Sequence, residues 1–395
     1  MVKQQVQTGR CSGYSSWGSV GLMDRAEELR RNDHSIGWQP PYKLPRCIFK
    51  SMTIRMKDIA EDLGLSQVTI SKVLRGHTDI GKETRERVLK RVRELDYQPN
   101  VLARSLVTGR SFLVGLIVPD LLHPFFAEIA KALSTELRKK GYSLIVASSE
   151  EDPEIELHEI RQLLARRLDA LVIASTGSST EQFELMERKK EPFVLIDRDF
   201  TNLSANFVGV DDEGAGRIAT EHLLDIGCKR VAHIRGRDNS TGSGRFAGYQ
   251  KALLSRGLAC PDKYVVSRQS VDTQSLEQGA EGMRLLLQQN PKPDGVFCYN
   301  DPLAIGAINT IIDQGLRVPE DIAVIGCGNL LYDSYLRVAL SSIDQHCSEI
   351  GKRAADVLLS LIESEQMPRA RSCILEPALV VRASSMRKRS KPRRL

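Results

Sequence analysis

The chain has 395 residues, 41% hydrophobic and 27% charged, a mixture that excludes collagen-like and wholly disordered proteins. At roughly 100–200 residues per domain this length predicts two or three domains. No run approaches the ~18 consecutive apolar residues of a membrane helix. The first residues hold no apolar block either, which speaks against a secretory signal.

The net charge of +6 is unevenly placed. Residues 1–51 carry 8 Lys/Arg against 4 Asp/Glu, residues 52–111 carry 12 against 8, and residues 386–395 carry 6 and no acid, which leaves −8 for residues 112–385. Basic ends on an acidic body predict a polyanion partner for the ends and a different ligand for the body. The 8 cysteines are scattered without a C-x-x-C pair, so neither zinc spacing nor a disulfide framework is expected, and a reducing cytoplasm is the simpler setting.

In chain order, residues 1–51 lack periodicity beyond Leu22–Arg31 and hold Trp17, Trp38 and Pro40–Pro41. They are expected to be a disordered extension or the product of a start codon assigned too early; an extra DNA-contacting arm is the alternative. Residues 52–98 read as three short helices. Met56, Ile59, Ala60 and Leu63 form one apolar face, and Gly64 can end that helix. Ser66 can cap a second helix carrying Val68, Ile70, Val73 and Leu74. The third runs from about Lys82 to Asp96, with Val88, Val92 and Leu95 inward and its arginines outward. Two short helices joined by a tight turn at a basic end form the helix-turn-helix pattern. Residues 99–111 begin with Pro99 and supply about two turns of helix followed by a linker, a length that orders only when something packs on it.

From residue 112 to 384 apolar strand-length runs (Leu113–Val118, Ser143–Ala147, Ala170–Ala174, Phe193–Ile196, Arg230–Ile234, Gly295–Tyr299 and Ile322–Ile325) alternate with amphipathic helices. The helices span Phe125–Lys140, Glu154–Arg166, Gly214–Ile226, Arg245–Arg256, Thr273–Gln289 and Pro302–Gln314. That alternation predicts doubly wound α/β with parallel sheets, and roughly 270 residues is too many for one such sheet. Two α/β lobes with a crevice between them are expected, with ligand bound beyond the carboxyl ends of the strands. Residues 385–395 are a basic tail, either a solvated end or a source of non-specific DNA affinity.

No phosphate-cradling loop is present: Gly242-Ser243-Gly244-Arg245-Phe246-Ala247-Gly248 is one residue too long for G-x-G-x-x-G. There is no G-x-x-x-x-G-K-[ST], G-x-S-x-G or H-E-x-x-H, and the histidines lie singly, His222 and His233 reading as structural residues. No catalytic constellation and no metal site is found, so the chain is not expected to be an enzyme or to carry a cofactor. Polar residues instead gather at or near strand ends: Asp120, Asp197 with Arg198, Asp211 and Asp212, Arg245, and Asn300 with Asp301. Such groups can hold a hydroxylated small molecule, although each could also cap a helix, Asp212 and Asp301 most obviously.

The string Ile54-Arg55-Met56-Lys57-Asp58-Ile59-Ala60, then Gly64-Leu65-Ser66-Gln67-Val68-Thr69-Ile70-Ser71-Lys72-Val73-Leu74-Arg75-Gly76, resembles the DNA-binding headpiece of the lactose/galactose repressor family. Leu95-Asp96-Tyr97-Gln98-Pro99-Asn100 and Ala103-Arg104-Ser105-Leu106 continue the likeness, as do Pro124-Phe125-Phe126, Ile196-Asp197-Arg198, Arg245-Phe246-Ala247-Gly248-Tyr249, Asn300-Asp301 and Leu340–Gln345. The resemblance covers about residues 52–384. It implies a helix-turn-helix headpiece joined to a two-lobed sensor like periplasmic sugar-binding proteins, with three crossing strands.

It further implies a homodimer on a palindromic operator in double-stranded DNA. Gln67, Val68 and Lys72 would face base edges in the major groove, with Ser66, Thr69 and Ser71 nearer phosphates or the helix itself. The hinge residues Asn100, Ala103, Arg104 and Leu106 would enter the minor groove, Leu106 as an apolar wedge. The small-molecule effector, of which a sugar is one candidate, would meet Asp120, Phe125, Phe126, Asp197, Arg198, Arg245, Asn300 and Asn329. The chain departs from the family where Gly326-Cys327-Gly328-Asn329 stands in place of Gly-aromatic-Asp followed by Asp or Asn, so an acidic contact is missing at 328, and where His123 takes the place of the common Asn before Pro-Phe-Phe. A transport or chemoreceptor binding protein would need a secretion signal and no headpiece; an α/β dehydrogenase or sugar kinase would need a phosphate loop.

Overall fold

The computed structural model describes residues 54–74, 76–97, 105, 108–177, 179–364, 366 and 368–387. The expectations for residues 1–51, for the hinge positions Asn100, Ala103, Arg104 and Leu106, and for most of the basic tail lie outside the described residues. Two compact units divide at Gln98 and Pro99.

The first unit is three helices, α1 (Met56–Leu63), α2 (Gln67–Leu74) and α3 (Lys82–Glu94). Gly64 takes the left-handed conformation (φ 65°) that lets α1 stop, and the chain turns at once into α2. Ser66 Oγ accepts a hydrogen bond from the Thr69 N–H at 3.1 Å and caps α2. Ile59 and Ala60 of α1, Ile70 and Val73 of α2, Val88 of α3 and Tyr97 form a core of this unit's own. Arg91 of α3 bonds Asp62 of α1, and Arg87 donates to the Leu63 carbonyl at 3.3 Å.

The second unit has two lobes. Lobe 1 contains β1 (Leu113–Val118), α4 (Pro124–Lys139), β2 (Ser143–Ser148), α5 (Pro153–Ala165), β3 (Ala170–Ile173), α6 (Glu181–Lys189), β4 (Phe193–Ile196) and β5 (Phe207–Val210). Lobe 2 contains α7 (Asp212–Asp225), β6 (Val231–Arg235), α8 (Ser240–Ser255), β7 (Val265–Ser267), α9 (Ser275–Leu287), β8 (Gly295–Cys298), α10 (Asp301–Asp313), β9 (Ala323–Gly328) and β10 (Ser341–Asp344). The chain then returns: α11 (Cys347–Glu363) packs on α4, β11 (Ser372–Leu375) joins the first sheet, and β12 (Ala378–Val380) joins the second. The sheet orders are β11-β5-β4-β3-β1-β2 and β12-β10-β9-β8-β6-β7. All pairings are parallel except β10 with β12. The lobes are therefore joined three times, at 210–212, 344–347 and 375–378, as the resemblance implies.

Continuous apolar runs buried on both faces put β3, β4 and β8 at the centre of their sheets. The sequence reading missed β5, β7, β10, β11 and β12, which have only three or four residues each, and the helices α6 and α11. It also began α8 five residues late. The cap assignments shift by one residue. Asp211 and Asn300, not Asp212 and Asp301, accept the N–H groups of Gly214 and Leu303 at 2.9 Å, because in each polar pair the second residue is already helical. That frees Asp212 and Asp301 for tertiary bonds.

His222 and His233 are structural, as expected. His222 Nε2 meets Ser385 Oγ at 2.9 Å, and His233 Nδ1 meets the Phe297 carbonyl at 2.9 Å, its ring stacked 4.7 Å from that of Phe297. Burial, with Arg235 and Arg245 nearby, pushes the His233 imidazole down to about 3 despite the bond to Phe297. The unfolded chain takes up this proton near pH 6.5 and the folded chain only near pH 3, so the stability is complete above 6.5 and is lost as pH falls towards 3. At pH 4.5 the expected loss from this group is about 2–3 kcal/mol. Urea midpoints at pH 7 and 4.5 should differ by correspondingly less in His233→Phe than in the parent chain.

Candidate functional site

Two surfaces carry the polar residues singled out above. On the first unit, the start of α2 projects outward. Ser66, Gln67 and Val68 are exposed, Val68 to 63%, which leaves the Gln67 amide and the Val68 methyl groups open to a partner. Thr69 is half-buried and its hydroxyl lies 2.9 Å from Ser66 Oγ, so this pair serves the helix end. Ser71 and Lys72 are half-buried on the next turn, and Lys72 Nζ is paired with Asp79 at 2.5 Å. The Lys72 hydrogen bond holds the Asp79 carboxyl below its ordinary range.

The second surface lies between the lobes. β4 ends in Ile196, and Asp197 turns the chain sharply in the left-handed region (φ 63°), a conformation costly for a residue with a Cβ and found where geometry is held for a purpose. This places Asp197 and Arg198, both buried, at the carboxyl end of the lobe-1 sheet. The Arg198 guanidinium donates from Nη1 to the Ser175 carbonyl at 3.0 Å, stands 3.3 Å from Asp197 through Nε, and reaches across to bond Asp272 of lobe 2. Burial opposes its charge, but Asp272, Tyr299 and Asp197 more than offset that, so Arg198 stays protonated. Burial pushes the Asp197 carboxyl up, against the pull of Arg198 and Arg245.

In lobe 2, α8 carries Arg245, 2% exposed. Its guanidinium donates to Asp212 Oδ1 (2.9 Å), the Tyr299 carbonyl (2.6 Å) and Gln345 Oε1 (2.6 Å), and it lies 4.6 Å over the Tyr299 ring. Arg245 thus ties together the start of α7, the end of β8 and the crossing after β10. Burial pushes the Asp212 carboxyl up to about 7, with Arg245 opposing.

Further bonds pass between the lobes. Thr273 donates to Glu151 Oε2 through N–H (3.2 Å) and Oγ (2.8 Å), Arg237 donates to the Glu151 carbonyl (3.1 Å), and Thr241 Oγ donates to the Asp197 carbonyl (3.0 Å). Asn300 Nδ2 bonds the Val271 carbonyl at 2.7 Å and lies 3.3 Å from His123 Nε2 of lobe 1. These bonds line the cleft and hold both lobes together.

Of the expected effector residues, Asp197, Arg198, Arg245 and Asn300 converge here. Phe125 and Phe126 are buried in the lobe-1 core, ring centroids 5.1 Å apart, with His123 beside them. Asp120 spends one oxygen on the Leu122 N–H at 2.8 Å. Asn329 does not join the group: its side-chain oxygen is taken by Arg382 at 2.6 Å, because the backbone at 329 is left-handed and turns it towards the carboxyl-terminal segment. Sequence reasoning missed Glu151, Arg237, Asp272, Tyr299 and Gln345. Gln345 stood within a quoted motif and Tyr299 closed a predicted strand beside another; Glu151, Arg237 and Asp272 carry no local pattern. A surface hollow of about 400 Å³ on lobe 2, lined by Ile305, Ile308, Ile312 and Leu336, shares no residue with the cleft.

A helix-turn-helix unit followed by a two-lobed binding unit defines a ligand-gated DNA-binding protein. The comparisons specify the family. Residues 55–100 match the model for "Bacterial regulatory proteins, lacI family", and residues 111–377 match that for "Periplasmic binding proteins and sugar binding domain of LacI family". Similar proteins include the ribose operon repressor of Haemophilus influenzae, 33% identical over 83% of this chain and 98% of its own, and the transcriptional repressor PurR of Aliivibrio fischeri, 30% identical over 83% and 97%. The solved structure of a transcriptional regulator CelR–cellobiose complex is 27% identical with a TM-score of 0.64 over 84% of this chain and 99% of that one. The lac repressor dimer bound to operator shares the fold at a TM-score of 0.74, 24% identity, and 85% and 99% coverage. The chain belongs to the LacI family of bacterial transcriptional regulators, and it is a ligand-responsive DNA-binding repressor. Among the described residues no helix is long and apolar enough to cross a membrane.

Proposed function

We propose that this repressor works in the cytoplasm as a homodimer on a palindromic operator, with a small polyhydroxylated metabolite as its effector and with no catalytic activity or cofactor. The observation that carries the DNA reading is the outward projection of Gln67 and Val68 at the start of α2, beside Lys72. Gln can pair bidentately with adenine, Lys can donate to guanine, and Val can meet a thymine methyl. Ser66, Thr69 and Ser71 would hold the helix end near the backbone phosphates. On the family resemblance, Asn100, Ala103, Arg104 and Leu106 contact the minor groove, Leu106 as the wedge.

The effector reading rests on Asp197, Arg198, Arg245 and Asn300 gathering between two lobes that the chain crosses three times. Phe125, Phe126 and Asp120 are proposed to line its lobe-1 side. Domain limits of 52–98 for the headpiece, 99–111 for hinge and linker and 112–384 for the sensor fit this division of labour. The linker is anchored for transmission. Asp169, at the entry to β3, accepts bonds from Ser111 N–H (2.7 Å), Ser111 Oγ (2.9 Å) and Phe112 N–H (3.0 Å), and Arg110 donates to the Ile362 carbonyl at 2.9 Å. A movement of lobe 1 therefore pulls directly on the residues that follow the hinge.

The test is binding of the full chain to genomic palindromes as salt is varied. Affinity should fall linearly in log–log form with a slope of several phosphate contacts, roughly −0.9 per contact. Gln67→Ala should weaken specific binding by about 1–3 kcal/mol while leaving the salt slope intact. A flat salt response, or no loss in Gln67→Ala, would remove α2 from the interface.

A further inference from the structure

We propose that Asp272 determines which ligands the sensor cleft accepts: it is the lobe-2 carboxylate that receives a hydroxyl of the effector, and its charge turns anionic metabolites away. This rests on the effector reading above. Position 328 cannot serve. Gly328 has φ +148°, and a Cβ there would stand 2.6 Å from Asp301 Oδ2. Asp301 is itself committed, accepting from Ser342 Oγ at 2.6 Å and from the Leu330 N–H at 3.2 Å. Asp212 is bound to Arg245 within its own lobe. Asp272, 6% exposed, is a buried lobe-2 carboxylate that faces lobe 1, where it meets Arg198.

The backbone around Asp272 is fixed from both sides. The Val271 carbonyl accepts from Asn300, and Thr273 donates twice to Glu151. The carboxylate is thus preorganised, and a ligand meets it without ordering cost. Beside it stands His123, 6% exposed, whose Nδ1 has no hydrogen-bond partner and whose charged form is disfavoured by burial, with Asp272 opposing.

Charge decides the class of ligand. Arg198, Arg237 and Arg245 face Glu151, Asp197, Asp212 and Asp272, so every one of these cations is compensated before a ligand arrives. A phosphate or carboxylate entering here would displace Asp272 from Arg198 and leave it buried without a cation. A neutral polyol can instead donate to Asp272 and accept from Arg198.

The experiment is equilibrium dialysis of the full chain and its Asp272→Asn variant. One panel holds D-ribose, D-xylose, D-glucose, D-galactose and myo-inositol; the other holds D-ribose 5-phosphate, D-glucose 6-phosphate and D-gluconate. The parent chain should bind a neutral compound and no anionic one. Asp272→Asn should weaken the neutral compound about ten- to hundredfold, the worth of a charged hydrogen bond, and strengthen the matching anion. A merely structural role would weaken both alike and would overturn the proposal. So would tighter binding of an anion than of its neutral parent, or unchanged neutral binding in the variant. Should Asp272→Asn not fold, Asp272→Glu, which keeps the charge but misplaces it, must lose neutral binding without gaining the anion. If the parent chain holds a palindromic duplex yet binds no neutral compound in the panel, the inference falls while the regulator reading stands; if it holds no duplex either, both fall.

Discussion

Gly248→Ala should destabilise the sensor by about 3 kcal/mol or more, although alanine is ordinarily the better helix former by roughly 0.5–1 kcal/mol. The reversal comes from packing. A Cβ at Gly248 of α8 would stand 2.0 Å from the Glu213 carbonyl oxygen and 2.6 Å from the Arg217 nitrogen, both backbone atoms of α7. Gly216 of α7 makes the reciprocal approach, with a Cβ position 2.0 Å from the Arg245 carbonyl. Backbone cannot rotate away as a side chain can, so α8 must retreat. Arg245 lies one turn before Gly248 and would move with it, loosening its 2.6 Å bonds to Tyr299 and Gln345. The urea midpoint should fall and effector response should fail, while the three-helix unit, which has its own core, keeps its affinity for DNA. A midpoint equal to that of the parent would contradict the close approach of α7 and α8.

Arg198→Met should cost about 3–5 kcal/mol at pH 8, the usual result of stripping one partner from a buried ion pair. Asp197 and Asp272 would remain buried without their cation. Burial already raises the Asp197 carboxyl, and losing the opposing pull of Arg198 raises it further. The sign follows: stability is kept below the unfolded pKa and lost as pH rises through the folded one, so the defect should shrink between pH 8 and pH 5. Replacing both partners, in Arg198→Met with Asp272→Leu, should recover part of the loss, giving a non-additive cycle. An Arg198→Met defect that is independent of pH would mean that the pair is not buried as described.

Much of this architecture could be read from the chain because it rests on local pattern. The three headpiece helices carry apolar positions at helical spacing, and the central strands are unbroken apolar runs. The edges were harder. β7 and β12 have three residues each, and β11 alternates exposed and half-buried positions that resemble a loop. α6 buries only Phe183 and Met186 among charged neighbours, whereas α11 does carry a periodic face, Ile350, Ala354, Leu358 and Leu361, that was legible and was not drawn. Within the cleft, the residues that stand at strand ends beside quoted motifs were found. Asp272 was not, because its meaning comes from Arg198, 74 residues away, and from nothing in its own surroundings. Asn329 was assigned by likeness; a left-handed backbone turn there directs its side-chain oxygen to Arg382, a placement no local pattern in the sequence foretells.

The most direct measurement is selection of genomic fragments by the purified full chain at low ionic strength, with and without the neutral sugars named above. The account requires recovery of a few short sequences with twofold symmetry, protected in two equal half-sites, and a change in retention when a sugar is added. Uniform recovery of all fragments, or of none under either condition, would contradict it.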